Sequence, residues 1–348
     1  MPSSKLTYRY RIKDSQHRSH LTRLSWAVHT VWNFCNEVQS LAWRRERRML
    51  SAYDLINLTA GASKELGLHS DTIAEICREY ATRRKQFRKR RLQWRSRKGS
   101  LGWIPFKARF LRIADDTITY LGRTFRFWLS RPIEGDIKTG SFTQDARGRW
   151  YVNFQCEVED PGEPLGDAEI GIDLGLKDQA TCSDGRKYNR ENLTRRYADK
   201  LAMAQRARKK KRVTAIHAKI KNARKDWAHK KTTKIIRRAR LIVVGDVSSS
   251  KLAKTRMAKS IYDAGWHQLR ALLEYKANRL GVLYREVNES GSSVRCSACL
   301  ERTGPSGLRA LGVREWTCRV CGVSHDRDIN AAHNILRLGR QTLFRGIP

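Results

Sequence analysis

Glu169-Ile170-Gly171-Ile172-Asp173-Leu174-Gly175-Leu176-Lys177-Asp178 decides how the second half of this chain folds. Apolar and small residues alternate up to one carboxylate, Asp173, and Gly175 then permits a turn into Gln179-Ala-Thr-Cys-Ser183. The period of two predicts a hairpin of two strands with an acid on the first. Outward from it, Leu241-Ile-Val-Val-Gly-Asp246 is a continuous apolar run, as a buried strand of a parallel sheet would be. A helix is predicted from Ser260 to Leu280, with Ile261, Leu269, Leu272, Leu273 and Leu280 inward, and Val282–Val287 reads as another strand. Far downstream, Asp326-Arg-Asp328-Ile-Asn-Ala-Ala-His-Asn-Ile335 opens a short apolar helix. The simplest role for an acid there is an N-cap, and either Asp326 or Asp328 could fill it. Acids from such distant segments, once brought together, can also hold divalent cations beside a phosphodiester.

Charge names the partner. The chain has 348 residues, with 71 Lys and Arg against 34 Asp and Glu, a net charge of +37. So large an excess repels itself unless a polyanion neutralises it, and nucleic acid is the expected partner. No apolar run is long enough to span a membrane, and the N-terminus lacks a signal-peptide core, so a soluble cytoplasmic protein with no membrane partner is expected. The length favours two or three domains.

The first half reads differently. Leu6–Ile12 alternates as a strand, then Leu21, Leu24, Val28, Val31, Cys35 and Val38 make one face of a long helix. A second helix is predicted over 71–93, with Thr72 and Glu75 at capping-box spacing. It runs into a basic tract, 83–98, interleaved with Phe87, Leu92 and Trp94. Phosphate-tracking surfaces combine cations and stacking rings in this way. Strands follow at 110–113, 117–120, 124–129, 140–143 and 150–156, with a hairpin turn at Asp145–Arg149. With the first strand they suggest a small antiparallel barrel interrupted by helices. Asp160-Pro-Gly-Glu-Pro164 is the clearest boundary. Beyond the Asp173 hairpin, residues 192–240 form a second basic segment, expected as a helical hairpin seated by Ile216, Ile220 and Trp227. The expected nucleic-acid contacts are Arg83, Arg84, Lys85, Arg88, Lys89, Arg90, Arg91 and Trp94, then Arg206, Arg208, Lys209, Lys210, Lys211 and Arg212.

Four of the eight cysteines come as two pairs, Cys296-Ser-Ala-Cys299 and Cys318-Arg-Val-Cys321, separated by 18 residues. Each pair sits on a tight turn, and four thiolates complete a closed tetrahedral zinc site. With no open ligand position, one structural Zn²⁺ is expected.

Gly171–Gly175, the basic insertion, Ile242–Asp246, Lys259-Ser-Ile-Tyr-Asp-Ala-Gly-Trp266, the cysteine pairs and Asp326–Ala332 together resemble the TnpB proteins of insertion sequences, relatives of type V CRISPR effectors. Leu101–Lys107 is similar to that family's lead into its barrel. The resemblance implies an α+β multidomain fold. A wedge β-barrel would occupy 1–14 and 99–160, interrupted by a helical recognition lobe at 15–98. An RNase H-like (RuvC) nuclease domain would occupy 167–290 and 323–342, split by a zinc ribbon at 291–322. It also implies a guide RNA from the transposon end and cleavage of double-stranded target DNA beside a short adjacent motif. Three carboxylates would hold two Mg²⁺ about 4 Å apart. Asp173 matches the family's first acid and Asp328 its third.

At the second acid this chain departs from the family, with Gly245 where a glutamate is usual. Asp246, one residue on, points to the opposite face of a strand, so a turn or cap is its expected role. The neighbouring parallel strand should end in Glu286-Val-Asn-Glu289, about 4.8 Å away. Glu289 is therefore the expected replacement, reaching over the glycine. The alternative is a nuclease-inactive RNA-guided DNA binder that lost cleavage with that acid. A strand transferase has no His or Tyr nucleophile motif behind it.

Overall fold

In the computed structural model the described residues are 3–13, 18–159, 163–189, 193–246, 265–307, 310 and 312–344. They fall into two compact units, Met1–Glu159 and Asp160–Pro348.

The first unit begins with β1 (Ser3–Arg11), α1 (Arg18–Glu46), α2 (Ala52–Leu58), α3 (Ser63–Leu66) and α4 (Ser70–Gln86). Strands β2 (Trp103–Lys107), β3 (Arg112–Ala114), β4 (Thr117–Tyr120), β5 (Arg123–Arg126), β6 (Asp136–Gln144) and β7 (Trp150–Glu159) follow. The α1 stripe is buried as expected from Leu21 through Cys35. Helices and strands share one apolar core, in which Ile76, Tyr80, Phe106, Phe142 and Phe154 are almost wholly buried.

The expected barrel is not formed. The strands make two open antiparallel sheets, β1-β7-β6-β2 and β3-β4-β5, joined by an isolated bridge between Ile12 and Phe127. Pro105 explains the open edge at β2, because proline has no N–H to offer a further strand. The Pro105 carbonyl instead accepts from the Thr72 hydroxyl of α4 at 2.9 Å. Thr72 is thereby spent on the sheet, and the α4 N-cap is His69, whose Nδ1 accepts from Asp71 N–H at 3.1 Å. Helix α4 also ends earlier than the pattern implied, at Gln86, because Arg88 takes a positive φ of 50°. Phe110 lies in a single 3₁₀ turn rather than on a strand.

The second unit opens with β8 (Ala168–Asp173), β9 (Asp178–Cys182) and β10 (Lys187–Asn189). Three helices, α5 (Leu193–Arg196), α6 (Ala198–Arg206) and α7 (Lys210–Ile236), lead to β11 (Ala239–Gly245). Then come α8 (Trp266–Arg279), β12 (Leu283–Val287), β13 (Glu315–Thr317), β14 (Ser324–Asp326) and α9 (Arg327–Phe344). The expected helix start at 260–264, with Ile261, lies outside the described residues.

Five strands form one mixed sheet in the order β10-β9-β8-β11-β12. β8 and β9 are the antiparallel hairpin predicted around Gly175, and β11 runs parallel to both β8 and β12. Ile170, Ile172, Ile242 and Val244 are fully buried on one side of it, each such side chain contributing roughly 1.5–3 kcal/mol. Helix α9 packs on the sheet where glycines let it approach. A Cβ on Gly171 would lie 2.1 Å from the Ala332 carbonyl, and one on Gly339 would lie 2.3 Å from Val243. That approach brings the start of α9 to the end of β8, and so Asp328 toward Asp173.

Candidate carboxylate site and cysteine centre

Asp173 is the last residue of β8, and Asp328 lies in the first turn of α9. Glu289 lies two residues past β12. The register pairs Gly245 at the end of β11 with Val287 at the end of β12. The chain after Val287 can therefore fold back over the glycine. A Cβ built on Gly245 would stand 2.2 Å from Glu289 Oε2 and 3.0 Å from Glu289 Cβ. The glutamate side chain thus occupies the space that a side chain at 245 would take.

Electrostatics places the three acids in one neighbourhood. Burial raises the Asp173 pKa to about 8, helped by the negative charges of Glu289 and Asp328, while Arg327 and Arg314 oppose the rise. Burial also raises Glu289, to about 7, with Asp246 adding to the effect and Arg270 opposing it. Glu289 Oε2 is buried and has no hydrogen-bond partner among the described residues. A buried carboxylate oxygen without a partner is a ligand atom that a divalent cation could take. Among the described residues only the four cysteines gather ligand atoms within 4.8 Å of one another, so the three acids are spread more widely than one coordination sphere.

The neighbouring acids have different duties. Asp246 is exposed, and its Oδ1 accepts from the Glu289 N–H at 3.3 Å, the capping role expected of it. Asp326 Oδ1 accepts from the N–H groups of Asp328 and Ile329, both at 3.0 Å, so Asp326 is the N-cap of α9 and Asp328 is not. Lys187 holds the other oxygen of Asp326 at 2.5 Å. Arg314 reaches Asp328 at 3.3 Å. Neither Lys187 nor Arg314 is distinguishable in sequence from the many other cations of the chain.

The cysteine pairs converge as their spacing implied. Cys296 and Cys321 sulfurs are 3.7 Å apart, and those of Cys299 and Cys318 are 3.6 Å apart. A tetrahedron with metal–sulfur bonds of ~2.3 Å has edges of ~3.8 Å, so the cluster fits a structural metal such as zinc. The Thr303 hydroxyl donates to Cys318 Sγ at 3.1 Å and holds that thiol down to about 6. His325 Nε2 stands 3.0 Å from Cys296 Sγ. The cluster is tied to the carboxylate site through α9. Asn330 and Asn334, both buried, donate to the Arg295 carbonyl at 2.8 and 2.7 Å, and Asn330 Oδ1 accepts from Ser297 N–H at 2.7 Å. The i, i+4 spacing of two asparagines on an apolar helix was the signal available for this contact.

The expected nucleic-acid residues are exposed with one exception. Arg84 is buried, its guanidinium bonded to Gln39 Oε1 and the Leu50 carbonyl. It falls on the α4 stripe that faces α1, so it is a core tie and not a surface contact. Arg206, Arg208, Lys209, Lys210, Lys211 and Arg212 crowd the turn between α6 and α7. Ile216 and Ile220 are buried against α6 and Trp227 in the core of the sheet, so all three seat the segment as predicted. No helix among the described residues is long and apolar enough to cross a membrane.

Residues 153–256 match the OrfB_IS605 family, described as "Probable transposase", and residues 266–335 match the Cas12f1-like TNB domain. A Streptomyces pristinaespiralis protein named "Putative RNA-guided DNA endonuclease" is 31% identical over 97% of this chain and 90% of its own length. The Escherichia coli K12 protein "Putative RNA-guided DNA endonuclease InsQ" is 29% identical over 64% of this chain and 61% of its own. The fold is also that of the Cas12f1 protein in a Cas12f1-sgRNA-target DNA complex, with TM-score 0.62 and 12% identity over 93% of this chain and 83% of that one. A mixed α/β chain so similar to the first of these over nearly its whole length is a member of the TnpB-like family.

Proposed function

We propose that this chain is an RNA-guided DNA endonuclease of a transposable element, hydrolysing target DNA at a RuvC-type site made by Asp173, Glu289 and Asp328. The observation that carries this reading is the Glu289 carboxylate lying in the space over Gly245. Strand order β10-β9-β8-β11-β12, an antiparallel three-strand meander with two parallel additions, supports an RNase H-like reading of the sheet. In this reading residues 167–290 and 323–342 are the nuclease domain, and 291–322 are a ribbon holding one Zn²⁺ on Cys296, Cys299, Cys318 and Cys321. Residues 15–98 are the helical recognition lobe, and 1–14 with 99–160 are the wedge sheets.

The three carboxylates would hold two Mg²⁺, which supply an activated water and stabilise the leaving oxygen. Asp173 and Glu289 are ordered by the sheet ends and Asp328 by the Asp326 cap, so the ligands are positioned before substrate arrives. Arg314 brings a positive charge to the Asp328 side of the cluster, where a phosphodiester would lie. Guide pairing reads the target sequence, and the protein recognises heteroduplex shape and a short flanking motif. The basic turn at 206–212 and the tract at 83–98 grip phosphates.

The test is to sequence the RNA that co-purifies with the chain, then offer a plasmid matching it beside varied flanks. Magnesium-dependent cleavage lost in Asp173→Ala is expected. Guided binding with no cleavage would leave the inactive-binder reading instead.

A pH dependence follows. Folded, Asp173 and Glu289 keep their protons up to about 8 and about 7. The unfolded chain releases them near pH ~4. Across that window the unfolded state binds fewer protons, so the metal-free protein loses stability as pH rises from ~4 to ~8. Mg²⁺ binds the ionised acids, so the rise in Tm that it causes should be larger near pH ~8 than near ~6. Thermal scans at fixed ionic strength measure this, and Asp173→Asn should flatten the trend.

A further inference from the structure

We propose that the first unit carries a stacking pocket for an unpaired RNA nucleotide, in a cleft lined by Phe87 and Trp94 together with Trp32, Arg95 and Trp103. The inference rests on the nucleic-acid part of the proposed function and not on hydrolysis.

By charge alone, the chain after α4 should be a solvated tail. It is instead fastened to α1. The Asn36 side chain donates to the Leu92 carbonyl at 2.8 Å and accepts from its N–H at 2.9 Å. Asn33 does the same with Arg95, at 2.8 Å in each direction. Trp32 Nε1 donates to the Gln93 carbonyl at 3.1 Å. Two side-chain amides thus stand in for a neighbouring strand, and the direction of each side chain in the segment is fixed.

Arg95 then lies against Trp32, 4.6 Å from its ring centre, and against Trp103, 5.4 Å away. Trp94 and Phe87 are left 51% and 54% exposed. Single exposed rings are ordinary, but these two line one cleft of about 1160 Å³ together with Arg83, Lys89 and Arg91. Rings held in a fixed frame with cations around them suit a flat base on an anionic backbone. A duplex hides its base faces, whereas an unpaired strand presents them; the guide RNA of the proposed function must be held before any target DNA is opened, so single-stranded RNA is the occupant we assign.

The test uses the full chain carrying Asp173→Asn, so that cleavage plays no part. Its affinity is measured for a short single-stranded RNA and for the same strand with abasic residues, which keeps the charge and removes the rings. The intact strand should bind about tenfold tighter. Trp94→Ala should reduce that preference to about twofold or less, and Trp94→Phe should restore most of it. Lys89→Ala should weaken both strands equally. Unchanged melting temperatures show that the half-exposed positions tolerate the changes. Equal affinity for intact and abasic strands would overturn the proposal. So would a preference that survives Trp94→Ala combined with Phe87→Ala, or tighter binding of the corresponding DNA strand.

Discussion

Glu289→Ala should reduce magnesium-dependent cleavage by about 100-fold or more, since outer-shell partners of a metal already cost 10–100-fold. Guide RNA and target binding should persist, because Glu289 lies in the carboxylate cluster and the basic contacts are elsewhere. The decisive companion is the double change Gly245→Glu with Glu289→Ala. It returns a carboxylate to the end of β11 and clears the space it needs. Part of the lost rate should come back in the double variant. Gly245→Glu alone should lower activity, because a side chain there displaces the Glu289 carboxylate and presses on Glu289 Cβ and Ile335 Cδ1, 3.0 and 3.1 Å from a Cβ at that position. Single-turnover cleavage across a magnesium titration separates lost metal affinity from lost chemistry. Full activity in Glu289→Ala would remove this residue from the site.

Stripping the metal from the cysteine cluster should have a comparable effect by another route. Structural zinc contributes on the order of 10 kcal/mol to the folding of small metal domains. Without it, the loop from Ser292 to Ser297 keeps only its local backbone turns and its bonds to Asn330 and Asn334. Cys318→Ser, or a strong chelator, should therefore lower the melting temperature and increase protease cutting between β12 and β13. Cleavage should fall as well, because the same asparagines sit on the helix that carries Asp328. Zinc content by elemental analysis should drop from one per chain toward none. Unchanged protease sensitivity in Cys318→Ser would show that the cluster has no such structural role.

How much of this could be read before the structure differed by region. Around Asp173 it was nearly all legible, because a strand ending in an acid, a glycine turn and a second apolar run leave few alternatives. The cysteine pairs were legible because two short spacings constrain four sulfurs. The position of Glu289 over Gly245 was open to inference from pairing geometry, since the end of one parallel strand must lie beside the end of the next. The barrel was misjudged because alternation predicts strands and not closure. Closure was decided by Pro105 and the Thr72 hydroxyl, a contact between residues far apart in the chain. Arg84 was misplaced because a basic run conceals which of its members faces inward. Lys187 and Arg314 carried no signal, since a cation in so basic a chain is noticed only once its partner is known.

The fit between Gly245 and Glu289 also constrains how this arrangement could change over generations. The two positions act as a single seat that holds one acid. An acid regained at 245 while Glu289 remains would crowd both, and loss of Glu289 while 245 is still glycine leaves the seat empty. A change at either position alone disturbs that shared space, so Gly245 and Glu289 should vary together among related sequences.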